Sequence, residues 1–580
     1  MRGIIQISTI VFLSLIITGC EPDILDQEPG DAITAEEFFN TGEDLEAYTN
    51  DLYSVLPSTS VYMDDADSDN ILGVSAAERI RGVRIVPTDR GSGGWSWGNL
   101  RKINFFLENY NKVEDAEAKA KYSGIAKFFR AYFYFEKVQR FGDVPWYGEV
   151  IEQDDEDLLY KARDSREMVM DSVLADIDYA IDNIPAEKEL NRITKYTALL
   201  LKARIALFEG TFRKYHGVGG YERFLEEAAS AANELINSGA YTLYTGGGED
   251  QAYRDLFSRE NQDMTETILA VDFEFGLRTH DLGYRMTAPT LGRWGLSKEL
   301  VNSYLMEDGT PFTDQAGYET MEFYEEMQNR DPRLTQTTAG PDFKTYGSDE
   351  LEPVDLDITR TGYRVIKALP PKGPQWGSGG SFNDIILFRY AEALLIYAEA
   401  KAELGTLTQA DLDNSINKLR DRVGLAHLNM AEANANPDPY QEALYANLDQ
   451  GANKGVILEI RRERRIELMN EGFRWDDLMR WKEGKKVEQP IEGLYFSELG
   501  AYDFNNDGVY DVYVHDGDTS GAPDEVTSLV DIGERPLTEG TSGNLLLFTG
   551  GSFEEPKDYY YPIPLEDLEL NDNLEQNPGW

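Results

Sequence analysis

The sequence predicts a mainly α fold: a scaffold of paired helices carrying a loop-rich insert region with short strands. Three observations carry this. Segments of about 15 to 20 residues with apolar residues at helical spacing follow one another from residue 34 to about 240. A further helical segment stands far downstream, Leu387 to Gly405, with Ala391, Leu394, Leu395, Ala398 and Ala402 at close-packing positions. The stretches 241–386 and 484–556 are rich in Gly, Pro and Thr and hold few long periodic runs, which suits loops with short strands.

Taken in order, Met1 to Gly19 has one early positive charge, Arg2, and a short apolar core from Ile10 to Ile17. That core is too short to span a bilayer comfortably, so it predicts a signal peptide. Leu15-Ile-Ile-Thr-Gly-Cys20 resembles a bacterial lipobox, in which the thiol receives a diacylglyceryl group and becomes the mature N-terminus. The alternative is a chance cysteine behind a plain signal peptide. Acyl chains on Cys20 would anchor the protein stably, since each buried methylene contributes ~0.8 kcal/mol. Cys20 is the only cysteine, which excludes an intrachain disulfide and a multi-thiolate metal site.

Residues 20–33 are acidic and contain proline, and read as a tether. Thr34-Ala-Glu-Glu37 has capping-box spacing, followed by an apolar face of Phe38, Phe39, Leu45, Tyr48 and Leu52. An aromatic-rich helix spans Ile125 to Arg140 and stops at Phe141-Gly-Asp-Val-Pro145. Asp164-Ser-Arg-Glu167 opens a helix running towards Ile184-Pro185, and Thr194 to Gly210 and Tyr221 to Gly239 follow. With small residues at Ala198, Ala203 and Ala206, the pattern is similar to tetratricopeptide-type hairpins, without a strict ~34-residue period. The predicted organisation is therefore a signal peptide (1–19), a lipidated cysteine and tether (20–33), an N-terminal helical-repeat region (34–240) and a C-terminal region (241–580).

The 580 residues carry 55 Lys plus Arg against 105 Asp plus Glu, a formal net charge of −50. A nucleic-acid binder needs a basic face to release counterions, so this composition excludes nucleic acid, and anionic membrane surfaces are equally unsuited as electrostatic partners. At 41% hydrophobic and 12% aromatic the chain is too apolar for a disordered acidic tail.

Three segments of the second half together resemble the SusD/RagB family. They are Phe388-Arg-Tyr-Ala-Glu-Ala-Leu-Leu-Ile-Tyr-Ala-Glu-Ala400, the charged run Ile460 to Trp481 (IRRERRIELMNEGFRWDDLMRW), and Tyr561-Pro-Ile-Pro564 with Asn571 and Gln576-Asn-Pro-Gly-Trp580. Upstream of these, Trp97-Gly-Asn-Leu-Arg-Lys-Ile-Asn104, Phe129-Arg-Ala-Tyr132 and Trp294-Gly-Leu-Ser-Lys-Glu-Leu-Val301 agree, in the right order. The resemblance implies a non-enzymatic lipoprotein on the outer leaflet of the outer membrane, facing the cell exterior. It would capture glycan for a TonB-dependent transporter of the SusC type, need no cofactor, and contain tetratricopeptide-like repeats. The charges of the run read as structural, with Glu459–Arg462 and Arg464–Glu467 as i,i+3 helix pairs.

Sugar recognition needs flat aromatic faces with planar hydrogen-bonding groups alongside. Of the tryptophans, Trp475, Trp481, Trp580 and Trp146 belong to signature or turn elements and read as packing residues, and Trp97 opens a helix and is open to either reading. Trp95 and Trp376 lie in glycine-rich loops and Trp294 in a loop before a helix, so the predicted stacking platform is Trp95, Trp294 and Trp376, with Tyr284 and Arg293 beside it. The island Arg79, Arg81, Arg84 and Arg90 would suit an anionic polysaccharide with Arg81 at the ligand, or pair with Asp64, Asp65, Asp67 and Asp69 just upstream.

Asp503, Asn505, Asp507 and Asp511 stand at calcium-loop positions with Gly508 at the turn, which raises a structural calcium, but Val514 stands where a bidentate glutamate belongs. An Asx-rich turn without metal is the alternative. A surface glycoside hydrolase is a competing class, since two carboxylates suffice and acidic residues abound. The scattered His216, His280, His427 and His515 support neither a zinc hydrolase nor a histidine triad. A helical-repeat adaptor is a third class.

Overall fold

The structure, a computed structural model, describes residues 38–352, 354–448 and 451–580; the signal segment, Cys20, the tether and the Thr34–Glu37 capping box lie outside them. The first helix described in full, α1 (Gly42–Leu52), is opened instead by Thr41 and Asp44 in a reciprocal capping box. Asp44 N–H donates to Thr41 Oγ1 at 3.2 Å and Thr41 N–H to Asp44 Oδ2 at 2.8 Å.

The scaffold then runs through α2 (Ser60–Ala66), α3 (Gly98–Asn109), α4 (Ala116–Phe141), α5 (Arg166–Asn183), α6 (Lys195–His216) and α7 (Tyr221–Asn237). Helix α4 starts earlier than the aromatic run suggests, because Asp115 accepts from the N–H groups of Glu117 and Ala118 at 3.0 Å and carries the helix across a polar first turn. Likewise α6 runs through Gly210 to His216. A Cβ on Gly210 would sit 2.8 Å from a Leu225 methyl, so the glycine is what lets α6 and α7 approach. That closeness offsets the roughly 1 kcal/mol a mid-helix glycine costs.

After the insert, α8 (Tyr390–Glu403) stacks directly on α7, and α9 (Lys454–Glu467) stacks on α8. The array α3–α4–α5–α6–α7–α8–α9 is thus continuous in space although the chain leaves it between residues 238 and 389. Helix α10 (Arg474–Arg480) closes against α6, and α11 (Leu565–Leu570) lies near the C-terminus.

The expected loops with short strands form small separate sheets. β1 (Ile71–Leu72) pairs with β3 (Gly295–Leu296), and β2 (Thr267–Val271) with β4 (Ile385–Arg389), both antiparallel. β5 (Ile491–Phe496) pairs with β9 (Gly543–Phe548), while β7 (Val512–His515) joins β6 (Gly500–Tyr502) to β8 (Ser528–Asp531). The main apolar core runs beneath scaffold and inserts alike, with smaller clusters around Trp475 and Phe553 and around Leu305 and Leu425.

The charged signature run is buried and does not face solvent as a surface helix would. Arg461 to Glu467 are all buried. Glu459–Arg462 forms as predicted at 2.9 Å, but Arg464 pairs with Asp477 at 2.8 Å and not with Glu467. Glu467 instead accepts from Arg333, Arg389 and Arg422 at 3.1, 2.8 and 2.7 Å, three side chains far away in sequence. Arg480 holds Glu399, whose carboxylate also accepts the Trp481 indole N–H at 2.8 Å. These arginines neutralise carboxylates in the interior, where an unpaired charge is very costly.

Candidate ligand-binding groove

A groove of about 700 Å3 opens where α3, the segment after α4 and the C-terminal residues meet, against about 270 and 170 Å3 for clefts at Glu299–Lys486 and Asp64–Asp476. Its lining includes Trp95, Trp97, Arg101, Tyr147, Glu149, Tyr160, Asp567 and Leu570.

Each wall is fixed by a local device. The glycine-rich loop Gly91–Trp97 is held from below by α4, whose Lys137 ammonium donates to Gly94 O and to Ser96 O, and whose Arg140 donates to Gly93 O at 2.7 Å. Burial pulls Lys137 down to about 8, with Glu136 opposing. Trp95 is wedged edge-on against Phe141 and Trp97, at 4.8 and 5.3 Å between ring centres. Trp97 meets Tyr147 edge-on at 5.6 Å, and burial raises the Tyr147 hydroxyl to about 12.

Opposite, Asn104 on α3 donates to the carbonyls of Tyr147 and Glu149, both at 2.9 Å, and Arg101 to Ile151 O at 2.6 Å. The third wall comes from the chain end. Gly91 N–H donates to Asp567 Oδ2 at 2.7 Å, and Asn571 and Asn573 donate to the carbonyls of Lys161 and Tyr160 at 3.0 and 2.8 Å. The rim carries Tyr160 and Leu570, 48% and 56% exposed. Half-buried Trp97 and Tyr147, with exposed Ser96, Arg101 and Glu149, give flat faces next to polar edges.

The predicted site residues are not brought to one surface. Trp95 lines the groove but is only 2% exposed, so it is its floor. None of Arg81, Tyr284, Arg293, Trp294 and Trp376 lines it. Trp294 is 5% exposed in the main core, where its carbonyl accepts Val365 N–H at 3.3 Å. Trp376, half-buried, donates its indole N–H to Pro370 O at 2.9 Å, and its turn packs on the short helix Leu282–Thr287 that carries Tyr284. Arg293 donates to Leu356 O at 2.7 Å.

The arginine island is divided. Arg79 stacks over Trp475 at 4.6 Å and donates to the main-chain carbonyls of Asp64 and Asp67. Arg84 pairs with Asp558 at 2.8 Å. Exposed Arg90 lines the groove, and Arg81 is exposed on the short helix Glu78–Arg81. The pairing with upstream carboxylates is confined to Arg79, whose charge acts on Asp64 and Asp67 without an ion pair within 4.0 Å; Asp69 is taken by Arg474 and Arg465, and Asp65 by the N–H groups of Glu471 and Arg474. Tyr147, Tyr160, Arg101, Glu149, Asp567 and Leu570 were not singled out from sequence, although Trp146-Tyr147 after the Pro145 turn and Asn571 in the terminal segment flank them.

In the loop at 503–511 the side-chain oxygens accept their own backbone. Asp503 Oδ2 takes Gly508 N–H and Asp507 Oδ1 takes Val509 N–H, both at 2.8 Å, and Asp511 Oδ2 takes Phe504 N–H at 2.8 Å. Burial raises Asp511 to about 6. Val514 lies buried in β7. Among the described residues no group of three or more His, Cys, Asp or Glu is arranged to hold a metal ion, and no helix is long and apolar enough to cross a membrane.

The SusD family model matches residues 247–580, more than half of the chain. The chain belongs to the SusD family. A second SusD-like model, described as starch-binding and associating with the outer membrane, matches residues 88–202, which contain two walls of the groove. SusD-like protein P38 of Formosa agariphila is 26% identical over 523 residues, 84% of this chain and 94% of that protein. A SusD-like protein of Bacteroides fragilis has the same fold, with a TM-score of 0.70 at 22% identity over 96% of this chain and all of its own. A structure described as a SusD-like carbohydrate binding protein of the same organism superposes at 0.68 with 21% identity, covering 93% of this chain and all of its own. The mainly α architecture expected from the sequence is that of these SusD-like structures.

Proposed function

We propose that the protein captures a poly- or oligosaccharide in the groove at Trp97, Tyr147 and Tyr160 and delivers it, without cleaving it, to a TonB-dependent SusC-like transporter. In this reading Cys20 carries the lipid that holds the protein to the outer membrane, facing the cell exterior. The observation that carries the proposal is the groove itself: exposed or half-buried aromatic faces beside Ser96, Arg101 and Glu149, on walls locked by hydrogen bonds before any ligand arrives. A preformed site loses little entropy in ordering itself around a sugar. Membership of a family with carbohydrate-binding members supports the same reading.

Affinity electrophoresis against a polysaccharide panel, followed by calorimetry on the retained glycan, tests it. Trp97→Ala and Tyr160→Ala should each weaken binding by about 2 kcal/mol, roughly 30-fold, the scale of an aromatic anchor. Retention unaffected by both changes, or shortened oligosaccharides after incubation, would count against it.

A further inference from the structure

Loops from the two insert stretches bring Arg293, Arg360 and Arg535 together. Arg293 and Arg535 donate to one and the same oxygen, Leu356 O, at 2.7 and 3.2 Å, which brings two cations to within a few ångströms. Arg360 N–H donates to Arg293 O at 3.0 Å, tying the third arginine to the first. Arg293 sits at φ 54°, a left-handed conformation that a non-glycine residue keeps only where its surroundings enforce it.

Counter-charge is thin here. Arg535 reaches Asp357 at 3.6 Å, and Asp355 spends one oxygen on Asp357 N–H at 2.7 Å and on the Ser528 hydroxyl at 3.2 Å. Among the described residues no carboxylate lies within 4.0 Å of Arg293 or Arg360. The Nε–H groups of Arg293 and Arg360 are buried without a hydrogen-bond partner. Both guanidinium groups are held below their usual range: Arg293 by burial and then Arg535, with the more distant Asp357 and Asp355 opposing, and Arg360 by burial and then Arg293 and Arg535. The buried Nε–H groups cannot reach a ligand, but Arg293 Nη1 and both Arg360 Nη groups have no partner among the described residues and are not enclosed. In a chain of net charge −50, three clustered arginines, two of them without a carboxylate within 4.0 Å, therefore leave donors open.

We propose that Arg293, Arg360 and Arg535 form an oxyanion site that grips a carboxylate or sulfate group on an acidic glycan. This rests on the glycan-capture reading, and it sets an anion site apart from the Arg79–Arg90 island, where Arg84 is spent on Asp558 and Arg79 on main-chain carbonyls and only Arg81 and Arg90 stay exposed. Guanidinium forks match both oxyanions bidentately, and a charge-assisted pair is about twice as strong as a neutral hydrogen bond.

Calorimetry on the mature chain with galacturonan, sulfated galactan and neutral glucan oligosaccharides, beside melting curves in inorganic sulfate, tests the site. The wild type should bind at least one anionic ligand about tenfold more tightly than the neutral one, with the gap closing as salt rises. Arg360→Gln with Arg535→Gln should erase the gap and the stabilisation by sulfate, and Arg360→Lys, which keeps charge and fold but loses the fork, should narrow it. Which of the two anionic ligands responds distinguishes carboxylate from sulfate. A neutral glucan bound as tightly as the anionic ligands, or a preference that survives the double variant, overturns the site while glycan capture stands. Stabilisation by sulfate that vanishes in the double variant, with no glycan bound at all, upholds an anion site and refutes glycan capture.

Discussion

Glu467 joins three arginines in the buried charge network, and Glu467→Gln tests how that network works. The side chain is fully buried and touches Arg333, Arg389 and Arg422. The arginines hold it well below the usual carboxylate range against the opposing effect of burial, so it is ionised at neutral pH. After substitution Arg333 still has Asp331 at 2.7 Å and Glu463, and Arg389 still has Glu266 at 2.9 Å and Glu471 at 2.7 Å. Arg422 keeps only Glu266 at 3.6 Å.

The cost is therefore about that of one buried guanidinium left nearly unpaired, ~3–5 kcal/mol, and not three times that. Urea unfolding followed by fluorescence should show the midpoint falling with an unchanged slope. Asp171→Ala, which removes the exposed pair with Arg223, should cost under ~1 kcal/mol. Adding Arg422→Met to Glu467→Gln should recover much of the loss, because it removes the orphaned charge. A Glu467→Gln cost no larger than the Asp171→Ala cost, or a double variant worse than the sum of its parts, would refute the account.

Lys137→Met should lower glycan affinity several-fold by releasing the Gly91–Trp97 loop, since Gly94 O and Ser96 O lose their donor; calorimetry beside a melting curve separates this from unfolding. Burial, reinforced by Asp477 and Asp64, raises Asp476 to about 7, so its protonated form stabilises the fold at low pH and that contribution is lost as pH rises from ~4 through 7. Asp476→Asn should therefore gain melting temperature relative to the wild type between pH 5 and 8, and a gap that shrinks as pH rises would contradict the assignment. At the 503–511 loop, millimolar calcium should move the melting temperature no more than equal magnesium does, because the carboxylates already accept backbone N–H groups; a calcium-specific rise would show that they exchange them.

The scaffold was legible because its helices announce themselves locally. Thr194 and its following apolar run place the start of α6 within the same twenty residues that form it. The partners of Glu467 are not legible in that way: Arg333 stands 134 positions away, and a Glu–Arg pair three apart in sequence reads as a surface helix pair whether or not the helix is buried. The groove was half visible. Trp95 and Trp97 stand out in a glycine-rich loop, whereas Tyr160 and Leu570 become neighbours only through the docking of the chain end. Trp294 shows the converse, since a loop-like sequence context says nothing about whether the loop lies over the core.

Residues 567–577 also set when the groove comes into being. Asp567, Leu570 and Leu574 supply one wall, and Asn577 fastens the tail by donating to Phe141 O at 3.0 Å and accepting from Arg163 at 2.7 Å. A growing chain can assemble α3 to α7 long before these residues exist. On the glycan-capture proposal, cleavage before residue 567 would remove that wall and the binding that depends on it, while the packing of α3 to α7 on one another would stay in place.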